Sequence, residues 1–278
     1  MIKRVAIVLI GILVILAGRW LFYHSGFYSA PSSKMPSYEQ IVVPSVPSIG
    51  FSDNYTQGKG TILIDFAHSN NSNLGELDVL ILRLISRGLT IELLSTGTDL
   101  EAELSKANAF IVVCPQTEFS KKEKEAVGKF VTNGGKLLLI ADPTRPSEIN
   151  SLSLKFSLIF EPDYLYNMKE NDANYRNIFV TEFKENEITK NLKKIALYTT
   201  GSISSDNHGI ALVDEDTFSS LIETRKKLSP IALDGESKVL AIYDLTFITE
   251  PYNGVLDNNQ LISNMADWLK TSAKETAK

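Results

Sequence analysis

Three short apolar runs constrain this chain more than any other feature: "TILIDF" (residues 61–66), "AFIVVCP" (109–115) and "KLLLIADP" (136–143). None shows the in–out alternation of a half-exposed strand, and each is bounded by polar or turn-forming residues. Such runs read as strands buried on both faces. Amphipathic segments separate them. In "LGELDVLILRLISR" (74–87), Leu77, Leu80, Ile81, Leu84 and Ile85 form a helical stripe, and Gly88 supplies the stop. Ser120 and Glu123 form a capping box that opens a helix to Thr132, closed by Asn133-Gly134-Gly135. A further strand is expected at Thr90–Leu94. The "TDLEAELSKA" segment reads as a short helix capped by Thr98 or Asp99. Buried strands alternating with helices imply a mostly parallel sheet covered on both sides, an α/β three-layer α/β/α sandwich.

Beyond residue 150 the pattern is less regular. Strands are expected in "NIFVTEF" (177–183), "KKIALYTTGSI" (193–203) and "KVLAIYDLTFI" (238–248). A terminal helix at Asn258–Leu269 turns Leu261, Ile262, Met265 and Trp268 inward, with Asp257 as its cap.

The first thirty residues have a different character. Lys3 and Arg4 precede an uncharged run from Val5 to Gly18, followed by Arg19 and an aromatic flank of Trp20, Phe22, Tyr23, Phe27 and Tyr28. The segment 5–23 nearly spans a hydrocarbon core of about 30 Å. A cleaved signal peptide is the competing reading, but Tyr28-Ser29-Ala30 lacks the small-x-small cleavage pattern and no lipobox cysteine follows. The expected organisation is an anchor at 1–27, a Pro/Ser/Gly-rich spacer at 28–59 with a short edge strand at Gln40–Val43, an α/β domain at 60–270 and a polar tail at 271–278. Lys3 and Arg4 favour a cytoplasmic N-terminus, which makes the protein a single-pass cell-membrane protein with its domain outside the cytoplasm. Asn54-Tyr-Thr56 and Asn70-Asn-Ser72 fit the glycosylation sequon.

Composition excludes several functions. A net charge of −5, with no basic stripe, argues against nucleic acid as a partner. One cysteine and three histidines leave neither an internal disulfide nor a Cys/His zinc site to expect, and no metal or cofactor is called for.

Several phrases taken together, "ILIDFAHSNN", "AFIVVCPQTEFSKKEKEAVGKFVTNGGKLLLIADP", "NEITKNLKKIALYTTGSI" and "VLAIYDLTFIT…LDNNQLISNMADWL", resemble the DUF4350-type families of the class I glutamine amidotransferase-like superfamily. These include gliding-motility auxiliary domains associated with ABC transporters. The resemblance implies a flavodoxin-like sandwich on a membrane anchor, without established catalysis. Active amidotransferases place cysteine in a Gly-x-Cys-x-Gly elbow and use a downstream His-x-Glu. Here Cys114 stands between Val113 and Pro115, and His208 is followed by Gly209 and Ile210. No catalytic residue is carried over.

In open parallel sheets, ligands gather beyond the carboxyl ends of the strands. Four expected strands end in polar residues, which nominates a ligand-binding rim of Asp65, His68, Ser69, Gln116, Asp142 and Asp244. Each has a plainer reading. Asp65 and Asp142 can accept backbone N–H bonds in turns, His68 can be a hydrogen-bonded loop histidine, and residues 69–73 can cap the following helix. The leading expectation is a non-catalytic binding or transporter-auxiliary module, with ABC-transporter or envelope proteins as partners. The rival is a hydrolase or carbohydrate-acting enzyme using Asp65, His68 and Asp142, which needs those side chains to converge on one accessible point. A module for a small sugar or nucleotide is a third reading, and the lack of a Gly-rich phosphate loop argues against nucleotides.

Overall fold

The computed structural model describes residues 2–24, 50–221, 223 and 227–270. The expected strand at 40–43, the proline-rich part of the spacer and the polar tail lie outside the described residues.

One unit, Met1–Ser45, contains a single described element, helix α1 (Ile2–His24). It is long and apolar enough to cross a membrane, and none of its residues is buried.

The second unit, Val46–Lys278, carries every other element. Its first half runs β1 (Thr61–Asp65), α2 (Leu74–Ser86), β2 (Thr90–Leu94), α3 (Leu100–Leu104), β3 (Ala109–Val113), α4 (Lys121–Thr132) and β4 (Lys136–Ile140). Then follow α5 (Asn150–Ser153), β5 (Leu158–Phe160), β6 (Leu165–Asn167), β7 (Asn177–Val180), β8 (Glu182–Phe183), β9 (Ile195–Tyr198) and β10 (Ile203–Ser205). The chain closes with β11 (Gly209–Leu212), β12 (Thr217–Ser219), β13 (Ile231–Leu233), β14 (Val239–Ile242) and α6 (Asn258–Leu269).

The main sheet has the order β2-β1-β3-β4-β14-β13-β11-β8. Its first five strands are parallel and the remaining three antiparallel. Numbered by their sequence among themselves, the parallel strands follow 2-1-3-4-5, the flavodoxin-like doubly wound order. Both faces are buried, as the apolar runs demand. Ile62, Ile64, Ile111, Leu138 and Ile140 pack beneath α2 and α6, with Leu77, Leu80, Leu84, Leu261 and Trp268. Their sequence neighbours Leu63, Phe110, Val112, Leu137 and Leu139 pack on the other face against Val127 and Val131 of α4. That alternation is the strand period of two acting on a run with no polar member.

Helix ends follow local chemistry. Asn73 with Glu76 and Ser120 with Glu123 form reciprocal capping boxes, and Asp99 caps α3. Asp257 differs from expectation. It precedes α6, but its carboxylate accepts the N–H groups of Lys193 and Lys194 instead of capping the helix, tying the approach to β9 against α6.

The spacer boundary also moves. Residues 50–59, assigned to the spacer from their composition, pack on the domain. Asp53 pairs with Arg83 at 2.6 Å and with Arg87 at 3.0 Å, and Arg87 also binds Asp267 at 2.8 Å. Phe51 and Tyr55 lie against the Arg83 and Arg87 guanidinium groups at 4.8 and 4.6 Å. This clamp sits where α2 ends and β2 begins, the sheet edge at which the parallel strands start.

Candidate functional site

Because β1, β3, β4 and β14 run parallel, their carboxyl ends share one edge. Asp65 ends β1, Cys114 follows β3, Asp142 lies two residues beyond β4, and Asp244 two beyond β14. The strand order reverses between β1 and β3, where doubly wound sheets open a crevice.

At that switch point the chain instead fills the gap with its own side chains. Asp65 and His68 are 1% and 4% exposed. The Asp65 carboxylate lies 2.9 Å from Nδ1 of His68, and it also accepts the Ala67 N–H and the Asn70 amide. The imidazole stacks on Phe119 at 3.7 Å, while Nε2 faces Glu123 at 3.5 Å. The His68 carbonyl accepts the N–H groups of Gln116 and Thr117. An Asp65–His68–Glu123 chain thus ties the loop after β1 to the first turn of α4. Burial alone would lower the His68 pKa, but the hydrogen bond and charge of Asp65, together with Glu123, outweigh it and raise it above 6.5. The pair's contribution is complete below about 6.5, where the unfolded imidazole is also protonated, and is lost as pH rises through the higher folded value. His68→Gln is therefore expected to cost about 2 kcal/mol near pH 6 and progressively less toward pH 9, read by urea unfolding. A cost independent of pH would remove the ion pair from the account.

The remaining nominated residues separate by role. Asp142 is 2% exposed, and its oxygens accept the Thr144 N–H at 2.8 Å, the Thr144 hydroxyl at 2.5 Å and the Leu245 N–H at 3.3 Å. Asp244, fully buried, accepts the N–H groups of Tyr198 at 2.6 Å and Thr246 at 2.7 Å, with a longer bond from Phe247. Burial raises the Asp244 pKa, against the pull of those amide donors. Ser69 and Gln116 are exposed, and Ser69 adopts a left-handed backbone with φ 52°. The structure brings Asp65 to His68 and leaves Asp142 and Asp244 as brackets between loops.

Cys114 follows β3 with φ 43°, a strained conformation for a residue other than glycine. The thiol is nevertheless fully buried, and burial with the nearby Asp142 carboxylate pushes its pKa up to about 12. α4 begins seven residues later. A protonated, enclosed thiol is no nucleophile.

The open concavity at this edge lies over β4 and β14. A cleft of about 510 Å³ is lined in part by Asp142, Arg145, Asp163, Arg176, Thr199 and Tyr243. Four of these, Asp163, Arg176, Thr199 and Tyr243, come from the irregular second half, and no sequence motif marked them. One signal was present: Thr199-Thr200-Gly201 directly follows β9. Thr199 has φ 56°, an outlier for a β-branched residue. A side chain at Gly201 would place its Cβ 2.5 Å from the Tyr243 ring, so only glycine allows that approach.

No family model matches the sequence, and no curated protein matches it. Solved structures do. The mmIFT52 N-terminal domain aligns with a TM-score of 0.64 at 17% identity, over 77% of this chain and 98% of that one. A ThuA-like protein from Bacteroides uniformis aligns with a TM-score of 0.46 at 12% identity, over 79% of this chain and 95% of its own. Another from Parabacteroides merdae gives 0.45 at 11%, over 77% and 90%. ThuA-like proteins belong to the class I glutamine amidotransferase-like superfamily. At these identities the likeness concerns the fold alone.

Proposed function

We propose that this chain is a membrane-anchored, non-catalytic binding module, held outside the cytoplasm and engaging its ligand or partner at the cleft beside the rim. The observation supporting this reading is how the acidic side chains are used. Asp65, Asp142 and Asp244 are all buried and all bonded within the fold, so no carboxylate among them is presented as a general base. The enzymatic alternative needs Asp65, His68 and Asp142 to converge on an accessible point. Asp65 and His68 meet each other under Phe119 while Asp142 binds Thr144 and Leu245, an arrangement that favours binding over hydrolysis.

The anchor is α1, with Lys3 and Arg4 setting a cytoplasmic N-terminus. The DUF4350-type relationship implied by the sequence resemblance belongs to the same proposal, and with it an ABC-transporter or envelope protein as partner. Crosslinking in native membranes followed by affinity isolation of the full-length chain should recover one such protein at a fixed ratio. Repeated isolation of the chain alone would remove the stable complex. Protease added to sealed right-side-out vesicles should digest the domain; protection would reverse the topology.

A further inference from the structure

The donors left unspent in the cleft decide what it can hold. Asp163 is 3% exposed, and its oxygens accept the Ser202 N–H, the Ser202 hydroxyl and the Ser219 hydroxyl. Asp142 is occupied as described. Arg145 makes two bonds to Glu76, at 2.5 and 3.1 Å, and a third to the Asn71 carbonyl. Formal charges on Asp142, Asp163, Arg145 and Arg176 cancel, so net charge selects nothing. Hydrogen-bonding capacity does.

Arg176 differs from the others. Its buried Nε has no hydrogen-bond partner, while the Tyr175 and Tyr164 side chains interact with the same guanidinium group. The guanidinium is packed against the Tyr164 ring at 4.3 Å and the Tyr175 ring at 5.5 Å, which fixes its plane. Its carbonyl accepts the Thr199 N–H, setting the strained Thr199 beside it. The Thr199 and Tyr243 hydroxyls, both in the cleft lining, make no hydrogen bond among the described residues. A buried polar group without a partner is costly, and an arginine at a built site commonly meets an oxyanion.

We infer that this cleft binds a small organic oxyanion, a carboxylate or phosphate carried on a ring-sized body, with Arg176, Thr199 and Tyr243 donating to the anion and the Tyr164 ring packing against the body. The inference rests on the binding-module reading above and adds the ligand's chemistry. The volume suits it, since pockets of about 300–1,000 Å³ take small molecules of this kind.

Three probes sharing one body test it on the full-length chain in detergent: glucose, glucuronate and glucose 6-phosphate, titrated calorimetrically. At least one anion is expected to bind about tenfold or more tightly than glucose, and which one does so identifies the oxyanion. Arg176→Gln should abolish that preference, and Arg176→Lys, which keeps charge without the planar fork, should restore only part of it. If Arg176→Gln loses its cooperative melt, Thr199→Val serves instead, with an expected loss of about fivefold. Glucose binding as tightly as both anions would overturn the oxyanion while leaving a binding cleft. Failure of both anions to bind, or anion affinity unchanged in a folded Arg176→Gln, would overturn it as well, with co-purification of a partner untouched.

Discussion

Arg87→Ala is expected to lower the stability of the domain by about 3 kcal/mol, a fall in melting temperature of roughly 10 °C for a domain of this size. The Arg87 side chain has no solvent exposure, and it binds Asp53, Asp267 and Ser263 at once. Its loss leaves Asp53 with Arg83 alone and Asp267 with only the longer Lys270 contact, and opens a gap between α2 and α6. Both carboxylates retain some solvent contact, which sets the cost at the low end for a broken buried pair. The pH profile supplies a second check. Burial alone would raise the Asp53 pKa from its ordinary 3.8, but hydrogen bonds from Arg87 and Ser263 and the charges of Arg83 and Arg87 bring it to about 2. A depressed acid contributes stability that is full above its unfolded value and lost as pH falls through the folded one. Wild type should therefore lose stability between pH 5 and pH 2 through Asp53, and Arg87→Ala should lose less. Equal acid sensitivity in the two proteins would show the clamp to be electrostatically idle.

Asp244→Ala is expected to cost a comparable 2–4 kcal/mol, because it strips acceptors from the buried N–H groups of Tyr198 and Thr246 and from the longer Phe247 bond. Arg176→Gln, at a partly exposed position, should fall within about 0.5 kcal/mol of wild type. Chemical denaturation of the two variants separates the two jobs done along the rim. Were Asp244→Ala as stable as wild type, the reading of Asp244 as a bracket between loops would be wrong.

The first half of the domain was legible because its strands have no competing interpretation. An uninterrupted run such as "AFIVV" can only be buried on both sides, and Ser120 with Glu123 dictates where the next helix starts. Thr90–Leu94 and Asn258–Leu269 came out to the residue. The second half was harder for a physical reason: β5, β6, β10, β12 and β13 have three residues each, too few for a period of two to register. The far wall of the cleft comes from the turns beside such strands: Asp163 lies between β5 and β6, and Arg176 and Thr199 flank the paired strands β7 and β9. Sequence reasoning therefore found the shared edge, where parallel strand ends must collect, and missed Arg176, Thr199 and Asp163, which stand in turns whose placement only the pairing of β7 with β9 and the fold around β5 and β6 defines. Composition misled at residues 50–59 as well. Their Ser, Asn, Gln and Gly content reads as linker, whereas Phe51, Asp53 and Tyr55 at alternating positions are the contacts that hold the segment down.

The clamp made by Asp53, Arg83 and Arg87 grips the incoming chain at the edge where the parallel strands begin, and the cleft opens at the edge where they end. The guanidinium–carboxylate knot thus lies at the opposite edge of the sheet from the cleft that holds Arg176. Inserting or deleting residues upstream of Phe51 should therefore leave unaltered the selectivity proposed for the cleft.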